Sequence, residues 1–343
     1  MTLKAFRRIQ ISNLEDTVGS AEAATEILYG TIIPPGPGIT VHWPEEDRNS
    51  LARYQANDEV VAKLQNLTWT GDLNHRHANY LLAMSVRGNV TATQADPTNE
   101  PNAYTWTYEP GLTTANTPDI ANGIDTFTIE YGDNTQAYET EYCFITRLVI
   151  EGSANGVCTF TADITGRQQS DASFTGSLTA QSVQRFPFNL AKCHFDTSWA
   201  NLGNTQKTGF VRSFTWTLET MFSAFQTADG ALYFSSVSES PKAPTLALAL
   251  KRGSDADTQR GYHEARTTTF IRLDLLGQTE LDSGQSNPPY LRLDGAYRYE
   301  TWPDLGEDEG SSIENPTAVG VYDSTGGKMF STVLFTDFSA WPT

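Results

Sequence analysis

His75 and His77 flank Arg76 in "HRH", the one place in the chain where two imidazoles stand within a few residues of each other. A zinc or copper site would need both rings on one face. On a helix, positions two apart point in different directions, so the pair does not converge on a metal. His42, His194 and His263 have no partner at a ligand spacing. Asp255 and Asp257 in "GSDADTQRG" resemble the opening of a calcium loop, but the turn glycine and the closing glutamate are misplaced, and the stretch reads as a solvated loop. "PPGPG" at Pro34–Gly38 lacks the Lys-Ser/Thr that completes a phosphate cradle. With 41 Asp and Glu residues, some pair falls at glycosidase distance in any fold, so such a pair signals nothing. There is no G-x-S-x-G, no Cys–His signature and no dinucleotide fingerprint. Cys143, Cys158 and Cys193 are odd in number and lack C-x-x-C spacing, which predicts reduced, partly buried thiols. The residues predict no catalytic, cofactor or metal site, and a protein that is not an enzyme.

The elements that would position any site are mostly strands. "YTWTYEP" from Tyr104 and "FTWTLET" from Phe214 both alternate large apolar residues with Thr and Glu, the period of a strand with one face buried and one wet. "FTADITGR" from Phe160 and "IRLDLLGQ" from Ile271 form a second matching pair, and both pairs are offset by about 110 residues. The shared offset predicts a duplicated domain, with boundaries at 1–180 and 181–343 and with Trp106 equivalent to Trp216 and Asp163 to Asp274. Asn57-Asp58-Glu59 before "VVAKLQNL" predicts a helix start, and "LNHRHANYLLAMSV" from Leu73 predicts a second helix. Near Asn155-Gly156 a three-residue loop with Gly156 left-handed would pair Ile150 with Phe160 and Leu148 with Ala162, keeping apolar residues on one face. The closing "AVGVYDSTGGKMFSTVLFTDF" reads as a hairpin across Gly326-Gly327.

Charge narrows the partners. The chain has 343 residues, 23 Lys and Arg against 41 Asp and Glu, and a formal net charge of −18. Residues 1–189 carry 11 basic and 22 acidic groups and residues 190–343 carry 12 and 19, so the acidity belongs to both halves. A protein that grips nucleic acid needs a basic surplus, which is missing. No apolar run approaches the length of a membrane span, and the basic N-terminus is not followed by the apolar stretch of a secretory signal. Synthesis in a cytoplasm, without a membrane, is expected.

The duplicated order resembles the major tail tube protein of long, flexible-tailed bacteriophages. The resemblance is carried by "VGSAEAATEILYGTI", "YTWTYEP", "LVIEGSANGVCTFTADITGR", "HFDTSWANLGNTQKTGFVRSFTWTLETMFSAFQTADGALYFSSVSES" and "RTTTFIRLDLLGQ", which span most of Val18 to Gln278. It implies a mainly β fold of two tandem, internally duplicated tail-tube-type β-sandwich or barrel domains with a flanking helix. Family members form hexameric rings that stack, and a chain with two such domains would close the ring with three copies. The implied function is structural: a virion protein of the phage tail whose stacked rings form the channel for DNA ejection. The implied partners are further copies of itself, the tape measure, terminator and tail-tip proteins, and double-stranded DNA passing without sticking; no cofactor is implied.

Within that reading, Thr105, Thr107 and Glu109, with Thr215, Thr217 and Glu219, are expected to line the channel, because the opposite face of each repeated strand must be buried. An acidic, hydroxylated wall repels phosphate. Ile33, Pro35, Gly36, His42, Trp43, Glu45 and Arg48 are expected in a loop that contacts the next ring. The alternative is a carbohydrate-binding β-sandwich such as a phage fibre or adhesin, with some of the 7 Trp and 14 Tyr as stacking platforms.

Overall fold

A computed structural model of the chain describes residues 6–44, 58–94, 96–112, 117–118, 123–220, 222–240, 243–282 and 287–341. The first half contains β1 (Arg8–Leu14), β2 (Ala24–Ile27), β3 (Thr31–Ile32), β4 (Ile39–His42), β5 (Glu59–Lys63) and β6 (Gln65–Asp72). Helix α1 (His77–Ala83), β7 (Tyr104–Tyr108), β8 (Phe127–Gly132), β9 (Ala137–Ser153), β10 (Thr159–Gly166) and β11 (Gln169–Ala172) complete it. The second half opens with β12 (Lys192–Asp196), β13 (Val211–Glu219), β14 (Phe222–Phe225), β15 (Ser236–Glu239), β16 (Thr245–Lys251) and helix α2 (Ser254–Glu264). It closes with β17 (Thr269–Leu276), β18 (Tyr290–Thr301), β19 (Gly306–Asp308), β20 (Ser311–Glu314), β21 (Thr317–Gly320) and β22 (Phe330–Thr336). The fold is mainly β, and all its ladders are antiparallel.

One set of pairings occurs twice. In the first half β1 pairs β8, β8 pairs β9, and β9 carries β10 and β11 in succession along its other edge. Strand β10 then pairs β6, β6 pairs β3, and the β4–β5 ribbon projects between them. In the second half β12 pairs β17, β17 pairs β18, and β18 carries β21 and β22 in succession. Strand β21 pairs β16, β16 pairs β13, and the β14–β15 ribbon projects between those. A helix follows β6 in one half and β16 in the other. The hairpin β19–β20 pairs on to β16 through Leu250–Glu314 and Lys251–Ile313, as the outer end of β10 pairs on to β6.

The duplication therefore does not follow the offset of about 110 residues read from the aromatic–Thr motifs. Strand β6 corresponds to β16, about 180 residues later. Trp106 and Trp216 are both buried, yet their strands are not equivalent: β7 pairs β22, whereas β13 lies between β9 and β16. Asp163 on β10 and Asp274 on β17 likewise hold different places, since β10 lies between β9 and β6 and β17 between β18 and β12. The physical reason is that aromatic–polar alternation encodes burial of one face and carries no address within a sheet.

The two repeats join edge to edge. β13 pairs the outer half of β9 from Ser213–Ser153 to Glu219–Arg147, so one ladder runs β3, β6, β10, β9, β13, β16, then β21 with β20, then β18 with β19. Other strands pack across the core from this ladder. Trp216 on β13 meets Phe330 on β22 edge to face at 6.1 Å and donates its indole N–H to the Tyr297 hydroxyl at 3.1 Å. One continuous apolar core holds Ile11, Trp69, Leu148 and Phe160 of the first repeat with Trp216, Leu246, Leu273 and Phe330 of the second.

Helix α1 falls within the stretch expected from Leu73, and all its side chains are buried. The helix expected after Asn57 is absent: Glu59–Lys63 and Gln65–Asp72 are strands, and β-branched Val60 and Val61 sit in the β4–β5 ribbon. Conversely, "SDADTQRGYHE", expected to be a loop, is α2. It buries only Ala256 and Gln259 and has no apolar stripe to announce it, while Asp255 and Asp257 sit in the first turn, where the helix dipole favours them. The β9–β10 register is the expected one, Ile150 opposite Phe160 and Leu148 opposite Ala162. The left-handed residue of that turn is Asn155 (φ 67°) rather than Gly156, with Gly156 N–H donating to Ser153 O at 3.0 Å. A turn does form at Gly326-Gly327, with Gly327 left-handed, but β21 and β22 do not pair with each other; they lie end to end along β18.

Candidate functional site

A polar feature that spans both repeats is the solvent-facing side of the joined ladder. Its registers place side chains in rows that cross both repeats. One row runs Thr70, Thr161, Val149, Thr217, Thr245, Val319. The next runs Asp72, Thr159, Glu151, Thr215, Ala247, Thr317. A third, shorter row runs Thr68, Asp163, Arg147, Glu219. Each row exists because every strand alternates, with Trp69, Phe160, Ile150, Trp216 and Leu246 turned to the core from the intervening positions.

Chemically the face is short hydroxyls punctuated by carboxylates. Asp163 accepts from Thr68 Oγ1 at 3.0 Å and lies 3.4 Å from the Arg147 guanidinium; Asp72 holds Arg185 at 2.7 Å. These pairs are well exposed, so they order side chains more than they stabilise the fold. The rows carry four carboxylates, Asp72, Asp163, Glu151 and Glu219, against the guanidiniums of Arg147 within them and Arg185 beside them, which leaves an acid surplus.

The six residues expected to line a channel divide. Thr215, Thr217 and Glu219 lie on β13, at the centre of this face. Thr105 and Thr107 lie on β7, and Glu109 just beyond it; β22, β18, β21 and β16 intervene along the ladder before β13 is reached. β7 and β13 are not ladder neighbours, so the two triplets share no row of paired residues. Glu109 is also engaged by Lys328 Nζ at 2.7 Å. The residues that do accompany the β13 triplet come from β6, β9, β10, β16 and β21. Their signal was present in the alternation of "QNLTWTGD" and "TFTADITG".

Among the residues expected in a contact loop, Ile33 and Gly36 are exposed and Pro35 is half-buried, along the segment that leads from β3 to β4. His42 ends β4 opposite Glu59, and Trp43 follows it, exposed. Glu45 and Arg48 lie outside the described residues.

Displaced titrations belong to the scaffold. Burial lowers His77 to about 3, aided by the charges of Arg76 and His75; its ring stacks on Tyr29. His75 Nε2 instead meets Asp337 Oδ1 at 3.0 Å, and Arg76 bridges Asp337 and Glu26. This clasp ties the C-terminal segment to the start of α1. Burial raises Asp125 to about 6 against one backbone hydrogen bond from Asn89. The three cysteines are free and buried, and burial pushes all three thiols up, Cys158 and Cys193 to about 12. Among the described residues no three His, Cys, Asp or Glu side chains gather as metal ligands, and no helix is long and apolar enough to cross a membrane.

No protein-family model matches the sequence, and no curated protein matches it either.

Proposed function

We propose that the chain is a structural subunit of a viral tail tube, assembling as three-copy, pseudo-sixfold rings that stack around a channel for double-stranded DNA. The observation that carries this reading is the joined ladder: two copies of one strand topology, fused edge to edge, present a continuous face made mostly of hydroxyls and carboxylates. A hydrated wall with an acid surplus repels phosphates and offers bases no flat apolar surface, which suits passage without binding. The resemblance of the sequence to major tail tube proteins supplies the biological setting.

The carbohydrate-binding alternative cannot use Trp69, Trp106 and Trp216, which are fully buried, and would rest on exposed rings such as Trp43 and Tyr322. Electron microscopy of the purified, concentrated protein in negative stain tests the proposal. Rings and tubes, with a ring mass of three chains by native mass spectrometry, are expected. Single chains at every concentration would overturn it, and glycan-array binding by those single chains would support the alternative.

A further inference from the structure

The internal joint between repeats has a counterpart that the single chain leaves open. In the joint, the outer half of β9 is paired by β13. The repeated pairings put residues 31–38 in the place of β13, since β3 pairs β6 as β13 pairs β16. They put residues 303–309 in the place of the outer half of β9: Ile313 opposes Lys251 as Thr159 opposes Asp72, so Gly306, opposite Ile313, takes the place of Glu151, opposite Thr159. Among the described residues β3 pairs only β6 and β19 pairs only β20, so the ladder ends in two unlike free edges. Each edge exposes a large apolar side chain: Ile33 is 67% exposed and Leu305 54%.

The ribbons tell the same story. In the second repeat β14–β15 is seated on the first: Phe222, Phe234 and Val237 cluster with Ile124, Tyr142 and Phe144. In its counterpart β4–β5, Ile39, Val60 and Val61 are exposed.

We infer that a second copy of this chain docks head to tail on these edges. Residues 31–38 of one copy run antiparallel along residues 303–309 of the next, and the β4–β5 ribbon sits on the second repeat of that neighbour. The inference rests on the self-assembly part of the proposed function and not on its viral setting. Because the two edges differ, the contact is heterologous and propagates until a ring closes. By register, Ile32 opposes Trp69 as Phe214 opposes Leu248, so Pro35 comes opposite Asp304, as Thr217 comes opposite Val149 inside the chain. Pro34, Pro35 and Pro37 donate no N–H, so this edge binds with fewer ladder hydrogen bonds than β13 and relies more on Ile33 and Leu305.

Disulfide trapping tests it. Asp304 is exposed and Pro35 half-buried, and the native thiols are buried, so a Pro35→Cys/Asp304→Cys chain has one reactive pair. Mild oxidation should give covalent multimers on a non-reducing gel, whereas either single variant should not progress beyond dimers. Thr217→Cys/Val149→Cys, at the internal joint, should cross-link within one chain. Ile33→Asp should weaken association measured by sedimentation by about tenfold or more, leaving the circular dichroism unchanged. Oligomers that persist without trapping, and that Ile33→Asp does not weaken, would overturn the inference and leave the tube reading standing. Trapped closed oligomers that never stack would do the reverse. Monomers that neither associate nor trap would remove both.

Discussion

Replacing Trp216 by alanine tests whether the two repeats share one core. The indole is 1% exposed; its residue opposes Ile150 of the first repeat on one side and Leu246 of the second on the other. Truncating a buried Trp costs about 3–5 kcal/mol in transfer and cavity terms. The Tyr297 hydroxyl also loses its 3.1 Å donor, which places the cost in the upper half of that range. For a chain of this size a urea slope of about 3–4 kcal/mol/M is reasonable, so the midpoint should fall by about 1 M. Urea titration followed by far-ultraviolet circular dichroism reads this directly. Thr215→Ala, on the wet face of the same strand, should change stability by no more than about 0.5 kcal/mol. A loss below about 1 kcal/mol for Trp216→Ala would refute the reasoning. So would two separate transitions of which only the second moves, because the repeats would then have independent cores.

The remaining expectations are more local. Asp125 holds its proton more tightly in the folded chain, so the stability tied to that proton is present below 3.8 and lost as pH rises to about 6. Asp125→Asn should therefore gain about 2–3 kcal/mol on the parent between pH 4 and pH 7, measured by urea titration at each pH; parallel profiles would rule that out. A methyl group at Gly152 would lie 2.6 Å from Phe214, 2.8 Å from Phe188 and 3.0 Å from Cys158, so Gly152→Ala should cost about 1–3 kcal/mol by strain at the joint. Calorimetry showing an unchanged melting temperature would mean the joint is loosely packed. Glu151→Lys with Glu219→Lys should turn a DNA-indifferent face into one that retains duplex DNA, with log affinity falling about 0.9 per log salt for each phosphate engaged. Equal, salt-independent indifference in parent and variant would place the face away from DNA.

Strand identity was legible where alternation was strong, as in "FTWTLET" and "TLALALK", because burial on one face writes directly into the sequence. The map of the duplication was not. Repeat one carries β7 between α1 and β8, whereas in repeat two β17 follows α2 within a few residues, so a constant offset cannot relate the halves. Helix α2 escaped because a polar surface helix has no periodicity to read. Residues 59–63 misled because a capping-like Asn-Asp-Glu precedes apolar residues that a ribbon uses equally well. Of the candidate face, the β13 triplet was legible as wet, but its companions depended on which strands become neighbours. That is a property of the ladder and absent from any one segment.

The joint between β9 and β13 also has a history during synthesis. β9 is complete at Ser153, but its last rung needs Glu219, about 66 residues later. At about 5–20 residues per second the ribosome takes about 3–13 s to supply them. Throughout that interval the outer edge of β9 lacks the strand that pairs it. Arg147 and Glu151 place charges along it, the usual guard against unwanted strand addition. The competitor best matched to that edge is the β13 segment of another nascent chain, which would pair in the correct register and yield a swapped dimer. Slow elongation lengthens the exposure and crowded polysomes raise the local supply of competitors, so the yield of correctly joined chains is set by the pace of translation as well as by the stability of the finished fold.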